Sequence, residues 1–159
     1  MEKRVKIRNP FDPEHNNCFA CGPKNKIGLR LTFEESETHL HSLWEPAPEY
    51  QGYHNVLHGG IIATLLDETG AWCIYVKAGT SAVTSTLTVR YLYPVHINKG
   101  AVTLDAEIKS NDGCIAHLLC RLFDGSGKQC AEAEADYFLY PENVAVKRYG
   151  YPGHEAFYY

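Results

Sequence analysis

The sequence predicts an α+β fold, an antiparallel β-sheet wrapped around one long central helix. Three observations point there. Residues 58–77 hold a single long helical period that is poor in charge, the segments after it change to a period of two, and glycine-rich turns separate those segments.

The helix rests on Ile62, Leu65, Leu66, Thr69, Cys73 and Val76, which recur at three- and four-residue steps, with Gly79 beyond as a stop signal. A helix with so few charges buries most of its circumference, so a sheet must enclose it. Ahead of it, residues 1–28 carry Pro10, Pro13, Pro23, Gly22 and Gly28 without lasting periodicity and read as an arm. Leu29, Leu31 and Phe33 alternate with polar neighbours. Leu40, Ser42 and Trp44 interleave with His39, His41 and Leu43, which predicts a hairpin turning near residues 35–38. Pro46, Pro48 and Gly52 mark an irregular connection to the helix.

After the helix, Leu87, Val89, Tyr91 and Tyr93 oppose Thr84, Thr86, Thr88 and Arg90, and Val102, Leu104, Ala106 and Ile108 oppose Thr103, Asp105, Glu107 and Lys109. Both read as half-buried strands. Residues 115–123 are apolar on both faces apart from His117 and Arg121, as in a central strand; Ala131, Ala133, Ala135, Tyr137 and Leu139 then alternate with acidic residues. Asn111-Asp112-Gly113 and Asp124-Gly125-Ser126-Gly127 are the hairpin turns. The domain is thus predicted over residues 29–140, between the arm and an aromatic-rich extension at 141–159.

A length of 159 residues fits one domain, and 45% hydrophobic with 21% charged residues excludes global disorder. A net charge of −4 gives no electrostatic footprint for nucleic acid. No run approaches the ~20 apolar residues that span a bilayer, and the opening Met1 to Lys6 has no apolar leader, so a cytoplasmic protein without a membrane partner is expected. Cys73, Cys114, Cys120 and Cys130 fall in apolar periodic segments and are predicted to be reduced. Cys18 and Cys21 have half the spacing of a zinc site but no second pair, and are read as part of an arm covering the sheet, with no metal expected.

The candidate chemistry gathers at His58-Gly59-Gly60. Two glycines opening a helix cost roughly 1 kcal/mol each against alanine, so propensity does not place them there. Glycine admits close approach, and first-turn amides lack internal partners, which makes Gly59 and Gly60 an oxyanion hole in waiting. Asp67 lies in a stripe with Ala63, Thr64, Gly70 and Ala71, where a narrow groove would partly desolvate a carboxylate and suit it to act as base or nucleophile. Glu68, about 100° around the helix, ranks second. His58 takes an orienting role, because the helix dipole disfavours a protonated ring at that end.

His58-Gly59-Gly60 followed by Thr64-Leu65-Leu66-Asp67, with Gln51-Gly52 before and Tyr91-Leu92-Tyr93-Pro94 after, resembles the PaaI-like acyl-CoA thioesterases of the hotdog superfamily. Cys18-Phe19-Ala20-Cys21-Gly22-Pro23 with Gly28-Leu29 resembles the N-terminal signature of one branch, and together the likeness runs over about residues 18–140. The resemblance implies hydrolysis of an acyl- or aryl-CoA to free acid and CoA, CoA being part of the substrate and no separate cofactor being needed. By the same resemblance the Gly59 amide polarises the carbonyl, Asp67 attacks it or activates water, Gln51 or Asn55 orients the reactants, and Thr84 comes from the neighbouring subunit of a homodimer or dimer of dimers. Arg90 and Lys99 are candidates for the CoA phosphates. The alternative is a non-catalytic acyl-CoA-binding module; a retained carboxylate at Asp67 speaks for catalysis, since buried negative charge serves an anionic ligand poorly.

Overall fold

The computed structural model describes residues 2–159. Strands β1 (Val5–Ile7), β2 (Thr32–Glu35) and β3 (Leu40–Trp44) precede helix α1 (Gly59–Cys73); β4 (Ala82–Tyr91), β5 (Val102–Asn111), β6 (Ile115–Phe123), β7 (Gln129–Leu139) and a short helix α2 (Glu142–Tyr149) follow. All seven strands form one antiparallel sheet in the order β1-β2-β3-β5-β6-β7-β4.

The register explains how the sheet receives α1. Leu40, Ala106, Cys120 and Ala133 lie side by side across β3, β5, β6 and β7, and all four are buried. Small side chains in that row let the helix seat closely, with Ile62, Leu65, Leu66, Thr69, Gly70, Trp72 and Cys73 turned inward. The opposite sheet face is polar: Arg121 donates to Asp105 at 2.9 Å, and Arg90 donates to Glu132 at 3.1 Å. The predicted helix is therefore found, although its last turn, Ile74–Ala78, widens into a π-turn closed by Gly79 in the left-handed conformation.

Four details depart from the expectations. The arm contributes a strand, β1, to the sheet edge; three residues are too few to show a period. The rest of the arm covers α1 rather than the sheet, with Phe11 edge-on to Trp72 and Cys18 beside Glu68. Strand β4 ends at Tyr91, leaving Tyr93 in the turn, and lies at the sheet edge with much of its surface exposed. Cys114 is exposed in the β5–β6 turn, while all six cysteines are free thiols. The extension beyond 140 packs: Phe157 is buried against Trp72 and Tyr75, and its carbonyl accepts from the Arg8 amide at 2.9 Å. No helix among the described residues is long and apolar enough to cross a membrane.

Candidate active site

The helix N-terminus is held by its own cap. His58 Nδ1 accepts from the Gly60 amide at 2.8 Å. The amides of Ile61 and Ile62 both reach the His58 carbonyl. Gly59 is left, among the described residues, as the first-turn amide with no acceptor. Its carbonyl accepts from the Tyr91 hydroxyl at 2.7 Å, so β4 braces this turn from the side. The amide of Gly60, proposed above to contact substrate, is engaged by His58 instead.

The loop before the helix is built by amide side chains. Gln51 Oε1 accepts from the Asn55 amide at 3.1 Å, and Asn55, in the left-handed conformation at φ 61°, accepts at Oδ1 from the Asn98 amide at 3.0 Å. Asn55 is thereby committed to the turn. Gln51 stands exposed with Tyr50, His58, Gly60 and Thr64 on the wall of a cavity of about 380 Å³. A second cavity, about 410 Å³, opens beside Gly59 between Gly52, Tyr53 and His58.

Asp67 is half-buried, two turns along α1. Its Oδ1 accepts from the Thr84 hydroxyl at 2.7 Å and lies 3.0 Å from the Tyr137 hydroxyl, which also reaches the Asp67 carbonyl at 2.8 Å. Burial drives the Tyr137 hydroxyl pKa upward, so it stays protonated and can only donate to a carboxylate. Oδ2 carries no hydrogen bond among the described residues.

Thr84 reaches Asp67 because of a bulge. The β4–β7 register shifts between Thr84 and Thr86, which turns Thr84 onto the face of Leu87 and Val89 rather than that of Thr86 and Thr88. Within the chain, Asp67 is thus partnered by its own Thr84. Tyr137 was missed in the sequence. Its signal was a lone large aromatic ending the alanine face of β7, opposite Gly70.

Three expected features fall elsewhere. Gly70 is buried against Tyr137 and Cys120, and Ala71 borders the arm, so the small-residue stripe is divided between sheet and arm instead of forming one groove. Glu68 turns away from Asp67 into the arm: Oε1 accepts from Trp72 Nε1 at 3.1 Å and lies 3.5 Å from Cys18 Sγ. Burial raises the Glu68 carboxyl to about 7. The Cys21 thiol donates toward Cys18, lowering Cys18 to about 5 and raising Cys21. Arg90 is on the outer sheet face, paired with Glu132, and Lys99 lies 3.3 Å from Asp124.

Within one chain Gly59 and Asp67 do not meet. Eight residues along a helix at 1.5 Å each separate them by roughly 12 Å. A single carbonyl cannot touch both.

Comparison with known proteins shows which family the chain is similar to. The thioesterase superfamily profile matches residues 54–131, which contain the His58-Gly59-Gly60 turn, Asp67 and Thr84. The acyl-coenzyme A thioesterase THEM4 of Xenopus laevis is 30% identical over 93 residues, 58% of this chain and 40% of that protein's length. Among solved structures, the E. coli PaaI protein from the phenylacetic acid degradation operon superposes with a TM-score of 0.65 at 17% identity, covering 72% of this chain and 82% of that one. A Bacillus halodurans protein crystallised with CoA gives a TM-score of 0.58 at 25% identity, covering 62% and 70%. The sheet and the enclosed helix are those of the hotdog fold, and residues 54–131, about half of the chain, match the thioesterase superfamily profile.

Proposed function

We propose that the chain hydrolyses the thioester of an acyl-CoA to the free acid and CoA, in a cleft completed by a second copy of the chain. The observation that carries this reading is Asp67, a carboxylate steadied at Oδ1 by Thr84 and Tyr137 with Oδ2 unengaged. With Oδ1 held by the Thr84 hydroxyl and by the one Tyr137 proton it shares with the Asp67 carbonyl, the group is a poor nucleophile with Oδ2 aimed as a base. A water positioned at Oδ2 loses its proton to Asp67 as its oxygen bonds to the thioester carbon. The carbon–sulfur bond then breaks and the CoA thiolate regains that proton. Charge on the carbonyl oxygen goes to the free Gly59 amide at the positive end of the α1 dipole.

The second copy supplies that amide. Thr84, at one end of β4, touches Asp67, and Tyr91, at the other end, touches Gly59. A twofold copy added antiparallel along β4 lays the Thr84 end of one strand beside the Tyr91 end of the other, so the Asp67 of each chain faces the Gly59 of its mate. Val83, Tyr91, Leu92 and Tyr93, each 39–52% exposed in the single chain, supply apolar surface for that contact. The likeness to THEM4 and the CoA of the Bacillus halodurans protein support acyl-CoA as the substrate class.

The test is thiol release from a panel of acyl- and aryl-CoAs by the wild type and Asp67→Asn, with acyl-CoA binding measured on both. Turnover lost in the variant while binding persists supports the reading. Tight acyl-CoA binding by a wild type that releases no thiol overturns it in favour of a binding module.

A further inference from the structure

We propose that Cys18, Cys21 and Glu68 bind a zinc ion that clasps the N-terminal arm to α1. The ligand atoms of these three side chains all lie within 4.8 Å of one another, and Cys18 Sγ is already 3.5 Å from Glu68 Oε1. Tetrahedral zinc, with Zn–S near 2.3 Å and Zn–O near 2.1 Å, needs ligand atoms roughly 3.6–3.8 Å apart. A contraction of about an ångström closes the shell.

The surroundings suit a cation. Glu68 is approached by Trp72 Nε1 and two sulfurs, and no Lys, Arg or His forms an ion pair with it among the described residues. A carboxylate beside two thiols, away from bulk water, is costly until a positive charge joins them. The arm is also shaped to present sulfur. The Cys21 amide donates to Cys18 Sγ at 3.4 Å and the Gly22 amide to the Cys18 carbonyl at 2.9 Å. A side chain at Gly22 would stand 2.6 Å from that carbonyl, so the turn requires glycine.

An independent sign comes from the adjoining cavity of about 410 Å³, walled by Asn16 and His15 as well as the three ligands. Asn16, whose Oδ1 accepts from the Cys18 amide at 3.1 Å, has its Nδ2 buried with no acceptor. A water in the fourth coordination position, facing the cavity, would accept from it. The Cys-x-x-Cys spacing alone was insufficient in the sequence because the third ligand comes from the helix, 50 residues beyond Cys18. A disulfide between Cys18 and Cys21 would leave both Glu68 and Asn16 unanswered.

The clasp also bears on the neighbouring carboxylate. Glu68 follows Asp67 directly, so fixing one side of this turn to the arm fixes the rotation with which Asp67 meets Thr84 and Tyr137. This is a positioning effect; the metal touches no substrate.

The experiment titrates reduced, chelator-treated full-length protein with Co²⁺, whose thiolate charge-transfer and tetrahedral ligand-field bands report the ligands. One equivalent is expected to develop both, and Zn²⁺, favoured over Co²⁺ at such sites, bleaches them. Cys18→Ser and Cys21→Ser lose the charge-transfer band, Cys114→Ser keeps it, and Glu68→Gln weakens Co²⁺ binding by at least roughly tenfold, with a shifted ligand-field band. Circular dichroism on each variant separates loss of ligand from loss of fold, and the wild-type titration stands by itself. Absence of the bands in folded, reduced wild type overturns the proposal. So does a band that survives either Cys18→Ser or Cys21→Ser, or an unaltered affinity and spectrum in Glu68→Gln.

Discussion

Gly70 and Tyr137 share one space: a Cβ built on Gly70 would stand 2.3 Å from the Tyr137 hydroxyl and 3.0 Å from the ring carbon that carries it. The missing side chain on α1 is what lets the β7 tyrosine reach Asp67. Gly70→Ala therefore overpacks a closed interior and is expected to destabilise the protein by about 1–3 kcal/mol, with a parallel fall in thiol release. Chemical denaturation measures the first. In a double-mutant cycle with Tyr137→Phe the two losses should be less than additive, and full additivity would mean the residues act independently.

Asp67→Asn is expected to lower kcat for acyl-CoA hydrolysis by roughly 10²–10⁴ while KM changes little, the usual range for a lost general base. Thr84→Val removes one donor from Oδ1 and should cost less, with the loss again in kcat. Steady-state kinetics on the same substrate checks the order. Wild-type kcat in Asp67→Asn would remove the carboxylate from the mechanism.

Asp124 gives the protein a specific acid sensitivity. The Ser126 hydroxyl, then the Lys128 and Ser126 amides and the Lys99 ammonium, hold its carboxyl below the usual carboxylate range. A depressed folded-state pKa contributes stability that is fully present above the unfolded value of about 4 and is lost as the pH falls through the folded one. Asp124→Asn should therefore be less stable than wild type at neutral pH, and the two should converge as the pH drops below about 4. Urea midpoints across that range read the difference, and parallel curves would assign the acid sensitivity elsewhere.

Phe157 closes the aromatic group formed by Phe11, Trp72 and Tyr75 over the outer side of α1. Fully buried, it is expected to cost about 3–5 kcal/mol as Phe157→Ala. Thermal and denaturant unfolding test this directly. A loss under 1 kcal/mol would show that the extension beyond residue 140 merely rests on the domain.

The parts of the fold legible in the sequence were those with a long, one-sided period. The helix could be read from Ile62 to Val76 and β5 and β7 from their alternation, because burial on one face imposes the pattern, while β6 could be read as an apolar run between turns. What could not be read was set by single residues out of period. The bulge beside Ser85 moved Thr84 to the other strand face, and one step around the helix sent Glu68 into the arm while Asp67 faced β4 and β7. Tyr137 escaped notice because its significance lies in the glycine opposite, 67 positions earlier by subtraction of their numbers. The arm and the extension lacked periodicity because each packs through scattered aromatic anchors such as Phe11 and Phe157.

The unequal borders of the sheet limit how copies can accumulate. At one border β1 is three residues long, and the Arg8 amide just beyond it is taken up by Phe157; at the other, ten residues of β4 run open. An association that joins two open borders face to face uses up both at once and leaves only blunt ones outside. Under that association growth by strand addition would be self-terminating, and the brevity of a strand at the far side of the molecule would keep the uncovered apolar surface along β4 from building a fibre.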